Sequence, residues 1–208
     1  MARQLAWRED APEDWSAEEA LQWFDNDMTT RPGDSYPALG FISHPIWFHL
    51  SIDNQSSVRR WLLEGGRAHM DHLDLFLFSE DGELIEAIEH GNALPWSERP
   101  YPSNRAVFPI NLEPDTRYQV ILRAQALGAV EMPLHLFTPE QFTRHESRMQ
   151  QFSGLYFGAV LVMILFNFLL LIAIRDKAYL FYVLYLSCLG TYLLTRQGLT
   201  FELLWPAY

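Results

Sequence analysis

The chain of 208 residues carries 26 Asp plus Glu against 15 Lys plus Arg, and a single cysteine, Cys188. Residues 1–150 hold 24 of the acids and 12 of the bases, a net charge near −12, so no basic face is on offer and a nucleic-acid partner is excluded. One cysteine also excludes an internal disulfide framework and a cysteine zinc cluster.

In chain order, the first element is a helix. Ser16-Ala17-Glu18-Glu19 fits a capping box, in which the serine hydroxyl and the glutamate carboxylate each accept a backbone N–H at the helix start. A short helix through Leu21 and Phe24 should follow. From there the period becomes two. In "IWFHLSID" (46–53), Ile46, Phe48, Leu50 and Ile52 point one way and Trp47, His49, Ser51 and Asp53 the other, the pattern of a half-buried strand. Further runs follow at "RRWLLEG", "HLDLFLF", "ELIEAIEH", "NRAVFPIN", "RYQVILRAQ" and "EMPLHLF", separated by clusters such as "SEDGE" and "LEPDT". Seven or eight short strands at this spacing imply an antiparallel sandwich. Trp47 and Trp61 lie in these runs and are assigned to packing.

Between two of the runs, the loop from Asn92 to Arg105 gathers Trp96, Arg99, Tyr101 and Arg105 among Pro95, Pro100 and Pro102. The prolines stiffen a segment that offers two aromatic faces and two guanidinium forks. Such a set suits a sugar, whose C–H faces stack on aromatic rings, or a small carboxylate, which pairs bidentately with arginine. The competing structural reading has Trp96 capping the core and the arginines pairing with Glu98 and nearby acids. An enzymatic reading has less behind it. His69, Asp71, His72 and Asp74 cluster in sequence, but strand geometry puts His72 and Asp74 on one face and Asp71 on the other, so they do not converge on a metal. No G-x-S-x-G, phosphate-cradling loop or zinc spacing is present.

"TPEQFTRHESRMQQF" restores helical spacing, with Thr138 as N-cap and Pro139 at the first helical position, and should run into the apolar stretch after it. Gly154 to Ile174 contains no acid or base over 21 residues, enough to cross a bilayer as a helix; Ala178 to Leu194 is a second, shorter span. The intervening Arg175-Asp176-Lys177 is too short for anything but a hairpin turn at one membrane surface. Asn167 should face another helix, and Ser187, Cys188, Gly190 and Thr191 are small enough for close helix approach. Charge does not orient the hairpin. Arg175 and Lys177 at the turn stand against Arg144, Arg148 and Arg196 at the other ends. Residues 1–30 are acidic and lack the apolar region of a signal peptide, so an exported domain needs a signal ahead of Met1.

The segments "GFISHPIWFHLSIDNQSS", "LEGGRAHMDHLDLFLFSEDG", "GNALPWSERPYPSNRAVFPINLEP", "ILRAQALGAVEMPLHLFTPEQF" and "GLYFGAVLVMILFNFLLLIAIRDKAYLFYVLYL" occur in an order that resembles the bacterial seven-transmembrane receptors with diverse intracellular signalling modules. The resemblance covers residues 36–208, with "GNALPWSERP", "LFTPEQF" and "RDKAYLFY" as its most specific parts. It implies an exported jelly-roll sensor of the second type, related in shape to carbohydrate-binding modules, then seven helices and a cytoplasmic output such as a diguanylate cyclase or histidine kinase. It also makes the turn at Arg175–Lys177 the first cytoplasmic loop. Three features depart from the pattern: His49 stands where an arginine is usual, Arg105 lacks a histidine beside it, and the sequence ends at Tyr208, after two helices.

The resulting expectation is a mainly β chain, an antiparallel jelly-roll sandwich followed by a transmembrane helical hairpin. The expected divisions are an acidic segment with a short helix at 1–35, the sensor sandwich at 36–138, a connecting helix at 139–153, spans at 154–174 and 178–194 around the turn at 175–177, and the start of a periplasmic loop at 195–208. The expected function is periplasmic sensing at a bacterial inner membrane, with Trp96, Arg99, Tyr101 and Arg105 binding a sugar or anionic metabolite, no metal and no cofactor. Expected partners are the bilayer, the small ligand, and a second copy of the chain or a partner receptor. A protein-binding scaffold and an anchored carbohydrate-active enzyme are the alternatives.

Overall fold

The computed structural model describes residues 5–9, 11–12, 14–26, 38–41, 44–65, 70–91, 94–95, 98–103, 105–126 and 129–196. One compact unit ends at Pro139 and a second begins at Glu140.

The first unit is an antiparallel jelly-roll sandwich. Its elements are β1 (Ala6–Arg8), α1 (Ala17–Asn26), β2 (Ala38–Phe41), β3 (Ile46–Asn54), β4 (Arg60–Gly65), β5 (His72–Ser79), β6 (Leu84–His90), β7 (Val107–Asn111), β8 (Thr116–Gln125), β9 (Ala129–Glu131) and β10 (Leu134–Phe137). A five-stranded sheet runs β1-β3-β8-β5-β6, a three-stranded sheet β10-β4-β7, and β2 pairs with β9. Between the sheets lie Ile46, Phe48, Leu50 and Ile52 of β3, Leu73, Leu75 and Leu77 of β5, Val120 and Leu122 of β8, and Leu63, Phe108 and Ile110 of the smaller sheet, all buried. Pro109 is tolerated because β7 is an edge strand, where a missing ladder donor faces away from the sheet.

The alternation read in β3 places the inner face correctly, but the outer face is covered at its Trp47 end, while Asp53 at the other end is exposed. Trp47 is 1% exposed, because α1 lies over it with Ala17, Ala20, Leu21 and Phe24, together with Phe78 and Ile121, as a second apolar cluster. The helix starts as the capping box requires. The Ser16 N–H donates to Glu19 Oε2 at 2.8 Å and the Glu19 N–H donates to Ser16 Oγ at 3.2 Å. Ser16→Ala should lower the stability of the sandwich by about 1 kcal/mol, a melting decrease of a few degrees. An unchanged melt would mean that the apolar underside of α1 holds the helix unaided.

Two differences from the sequence reading have local causes. The run "EMPLHLF" is not one strand: it divides at Met132-Pro133 into β9, paired with β2, and β10, paired with β4. Pro133 offers no N–H and Met132 is fully buried at the corner. The three-residue β1, which pairs Ala6, Trp7 and Arg8 with His49, Phe48 and Trp47, is too short to show a period.

The second unit is a helical hairpin of α2 (Pro139–Ile174) and α3 (Lys177–Arg196). Both helices are long and apolar enough to cross a membrane. Arg175, at φ 59°, ends α2 in the left-handed conformation and donates its N–H to Leu171 O at 2.9 Å. Asp176 then caps α3, its Oδ1 accepting the Ala178 N–H at 2.9 Å. Val160, Ile164, Asn167 and Leu171 form a half-buried stripe on α2, and Leu186, Ser187 and Gly190 a matching one on α3. Gly190 is where the helices come close: a Cβ there would sit 3.7 Å from Val160 Cγ1. Asn167 turns its amide back to Met163 O at 2.8 Å, while Cys188 and Thr191 point outward rather than into the contact.

Candidate ligand-binding loop

The loop between β6 and β7 is launched by a tight contact. Gly91 has φ 152°, and a Cβ on it would lie 2.1 Å from the Asp71 carbonyl oxygen, so only glycine lets the chain leave β6 against that backbone. Short turns follow, with Leu94 N–H donating to Gly91 O at 3.3 Å, Glu98 N–H to Pro95 O at 3.0 Å and Ser103 N–H to Tyr101 O at 2.8 Å. Ser103 is buried, and its Oγ accepts the Arg105 N–H at 3.3 Å. These bonds tie the described residues of the segment into short local turns.

Of the four residues singled out in the sequence, Trp96 lies outside the described residues. Arg105 pairs through Nη1 with Glu64 Oε1 on β4, not with the nearby Glu98. The Glu64 side chain is only 5% exposed and that of Arg105 38%, so the pair joins the loop to the smaller sheet at a largely dry position. Glu64 Oε2, also buried, accepts no hydrogen bond among the described residues. Tyr101 is half-buried and Arg99 likewise. Burial pulls the Arg99 guanidinium below its ordinary value, and arginine stays protonated regardless.

Arg99 acts on a residue that the sequence did not bring forward. His90, the last residue of β6, is 5% exposed, and among the described residues neither of its ring nitrogens has a hydrogen-bond partner. Its ring meets Phe108 edge-on at 5.7 Å. Burial first, and the Arg99 charge second, lower its pKa from 6.5 to about 4, so at neutral pH it is uncharged. The only sequence signal was a histidine immediately before a glycine at a strand end. The loop thus ties Arg105 to Glu64, while the charge of Arg99 adds to the lowering at His90.

A second concentration of polar and aromatic groups lies on the outer face of the five-stranded sheet. The register aligns Arg8, Trp47, Arg123, Asp74 and Glu89 in one row across all five strands. The Arg8 guanidinium carbon stands 4.7 Å from the centre of the Trp15 ring and 4.3 Å from that of Trp23. Arg123 Nη1 lies 3.7 Å from Asp74 Oδ2. Burial raises the Asp74 pKa, with Arg123 opposing the shift and Glu89 adding to it. His49, at the position that departs from the receptor pattern, stacks on Phe24 at 5.3 Å, and its Nε2 is hydrogen-bonded to Gln119 Oε1 at 2.6 Å. These groups fasten β1 and α1 to the sheet. His69 lies outside the described residues, and among the described residues no group of three His, Cys, Asp or Glu could hold a metal ion.

Residues 2–138 match the family model described as 7TMR-DISM extracellular 2, and residues 149–208 that described as 7TM diverse intracellular signalling. No curated protein matches the chain in sequence. Among solved structures, a family 35 carbohydrate binding module from Clostridium thermocellum is 13% identical, with 64% of this chain and 92% of that one covered and a TM-score of 0.32. Chitosan-binding module 1 of a chitosanase/glucanase from Paenibacillus sp. IK-5 is 13% identical over 66% and 96%, with a TM-score of 0.30. A family GH115 4-O-methyl-alpha-glucuronidase, BtGH115A, is 15% identical with a TM-score of 0.31; the match covers 50% of this chain but only 16% of the enzyme. Scores this low say nothing about a ligand. The two family matches cover nearly the whole sequence: the chain belongs to the seven-transmembrane receptors with diverse intracellular signalling, and is a membrane signalling receptor with an extracellular sensor domain.

Proposed function

We propose that this chain is the sensing part of a bacterial inner-membrane receptor, with the sandwich in the periplasm binding a small sugar or anionic metabolite. The match of residues 2–138 to an extracellular sensor carries the reading. The ligand loop is 92–105, with Trp96, Arg99, Tyr101 and Arg105 as contact residues. Support comes from the way this segment concentrates charge: it carries a half-buried Arg99 and an Arg105 paired with the buried Glu64. The sensor comprises residues 36–138, joined by the segment 1–35 through β1 and α1. Residues 139–153 connect it to spans at 154–174 and 178–194, whose turn at 175–177 is cytoplasmic. Residues 195–208 begin the next periplasmic loop. Ligand binding is relayed through these helices to an output module.

Topology provides the test. In intact cells exporting the protein with Cys188 replaced, a cysteine at Asp81 should react with a membrane-impermeant thiol reagent and one at Lys177 should not. The reverse pattern would place the sandwich in the cytoplasm and end the periplasmic reading.

A further inference from the structure

The sheet edges of the sandwich are protected unequally. An unpaired edge strand offers a row of backbone N–H and C=O groups to any other extended chain, and proteins close such edges by shortening them or by placing proline in them. β1, at one edge of the five-stranded sheet, is three residues long, and β10, at one edge of the three-stranded sheet, is four. β7, at the other edge of that smaller sheet, carries Pro109. β6 has neither device. It runs for seven residues without proline, and among the described residues it pairs on one side only, with β5. A register shift leaves Ile85 as an extra residue, but from Glu86 to His90 the ladder is regular.

β6 also carries the only exposed large apolar side chains of the sandwich among the described residues, Leu84 at 45% and Ile85 at 53%. Acids stand beside them. From Ser79 to His90 the chain holds Glu80, Asp81, Glu83, Glu86 and Glu89 and no lysine or arginine. Arg117 Nη1 reaches Glu80 Oε1 at 3.9 Å, whereas Glu83, Glu86 and Glu89 have no ion-pair partner among the described residues. Glu89 lies opposite Asp74 on the outer face of the sheet and Glu86 opposite Leu77 on the inner one. A strand added at this edge therefore meets one carboxylate on each face, with Ala87 and Ile88 between them. A second copy of β6 is a poor occupant. Antiparallel pairing centred between Ala87 and Ile88 sets Glu86 of each copy against Glu89 of the other, and like charges directly opposite destabilise a sheet. A basic strand meets both positions with complementary charge.

We propose that β6 is a docking edge for an extended basic segment of a partner protein, which extends the five-stranded sheet beyond β6. Lysine or arginine at two positions three apart pairs with Glu86 and Glu89, and apolar residues cover Leu84 and Ile85. Backbone hydrogen bonds hold the added strand, and the carboxylates select its charge. The inference does not depend on residues 92–105 binding a ligand.

The test uses the full chain in micelles of an uncharged detergent and a fluorescently labelled peptide, Thr-Lys-Val-Thr-Lys-Val-Thr, blocked at both ends. One control peptide has glutamate for both lysines; another keeps the lysines and has proline for the first two valine or threonine residues after the first lysine. Anisotropy titration should show binding of the lysine peptide, about tenfold or more weaker for either control. Hydrogen exchange in residues 84–90 should slow when the lysine peptide is added, which charge attraction alone does not produce. Glu86→Lys combined with Glu89→Lys should reverse the preference toward the glutamate peptide while the protein melts within a few degrees of the wild type. Equal binding of the proline-interrupted peptide, with exchange at 84–90 unchanged, would overturn strand addition and leave only diffuse attraction to an acidic domain. Self-association that slows exchange at 84–90 without any peptide would overturn the choice of partner in favour of a second copy. No binding of the lysine peptide at millimolar concentration would overturn the docking edge itself.

Discussion

Replacing Arg105 by methionine should destabilise the sandwich by about 3 kcal/mol, a larger effect than any other single surface charge should show. The reason is Glu64, whose side chain is 5% exposed and whose partner is Arg105. Removing one member of a buried pair leaves the other charge desolvated and uncompensated, a loss of about 3–5 kcal/mol. The lower figure applies because Arg105 is 38% exposed and water can replace part of its role. Glu64→Leu combined with Arg105→Met should recover most of the loss, since an apolar pair of similar volume needs no compensation. Chemical denaturation of the wild type, both single variants and the double variant reads the coupling directly. A near-native melt for Arg105→Met alone would mean that the pair does not hold this part of the chain to the smaller sheet.

Acid should weaken the fold through His90, by up to about 3 kcal/mol. In the folded protein its pKa is about 4 against an ordinary 6.5, so it stays neutral where the unfolded chain takes up a proton. Stability from this group is therefore complete above pH 6.5 and falls as pH drops through that value, levelling off near pH 4. His49, also lowered by burial, acts in the same direction, and Asp74, whose pKa is raised, acts in the opposite one. Comparing the wild type with His90→Phe across this range isolates the His90 share: the variant should lose less stability on acidification. Parallel curves for the two proteins would refute the assignment.

The parts legible in the sequence were those fixed by neighbours a few residues apart. Ser16 and Glu19 read as a cap because both partners lie within one turn. The inward set Ile46, Phe48, Leu50 and Ile52 read as a core face because alternation is a property of the strand itself. Coverage of the opposite face was invisible, since nothing in "IWFHLSID" shows that α1 will bury Trp47. The division at Pro133 escaped because the apolar pattern runs on across it. The candidate site was half legible. Composition picked out the loop and its arginines, but Glu64 lies 41 positions from Arg105 in sequence, and His90 becomes conspicuous only when its neighbours in space are seen to leave both nitrogens unpartnered.

The reversal at Arg175 and Asp176 has a consequence for how this receptor can vary in length. One residue closes α2 with a positive φ and the next opens α3 with a side-chain cap, so no position in the turn is spare. Each residue of an α-helix advances about 100° around the axis. A single insertion between Asp176 and Gly190 would therefore swing Gly190 away from Val160 and present a bulkier neighbour at the point of closest approach. Descendants of this sequence should accept substitutions on the exposed faces of both helices but reject insertions and deletions between Val160 and Gly190, unless they come in multiples that restore the same helical face.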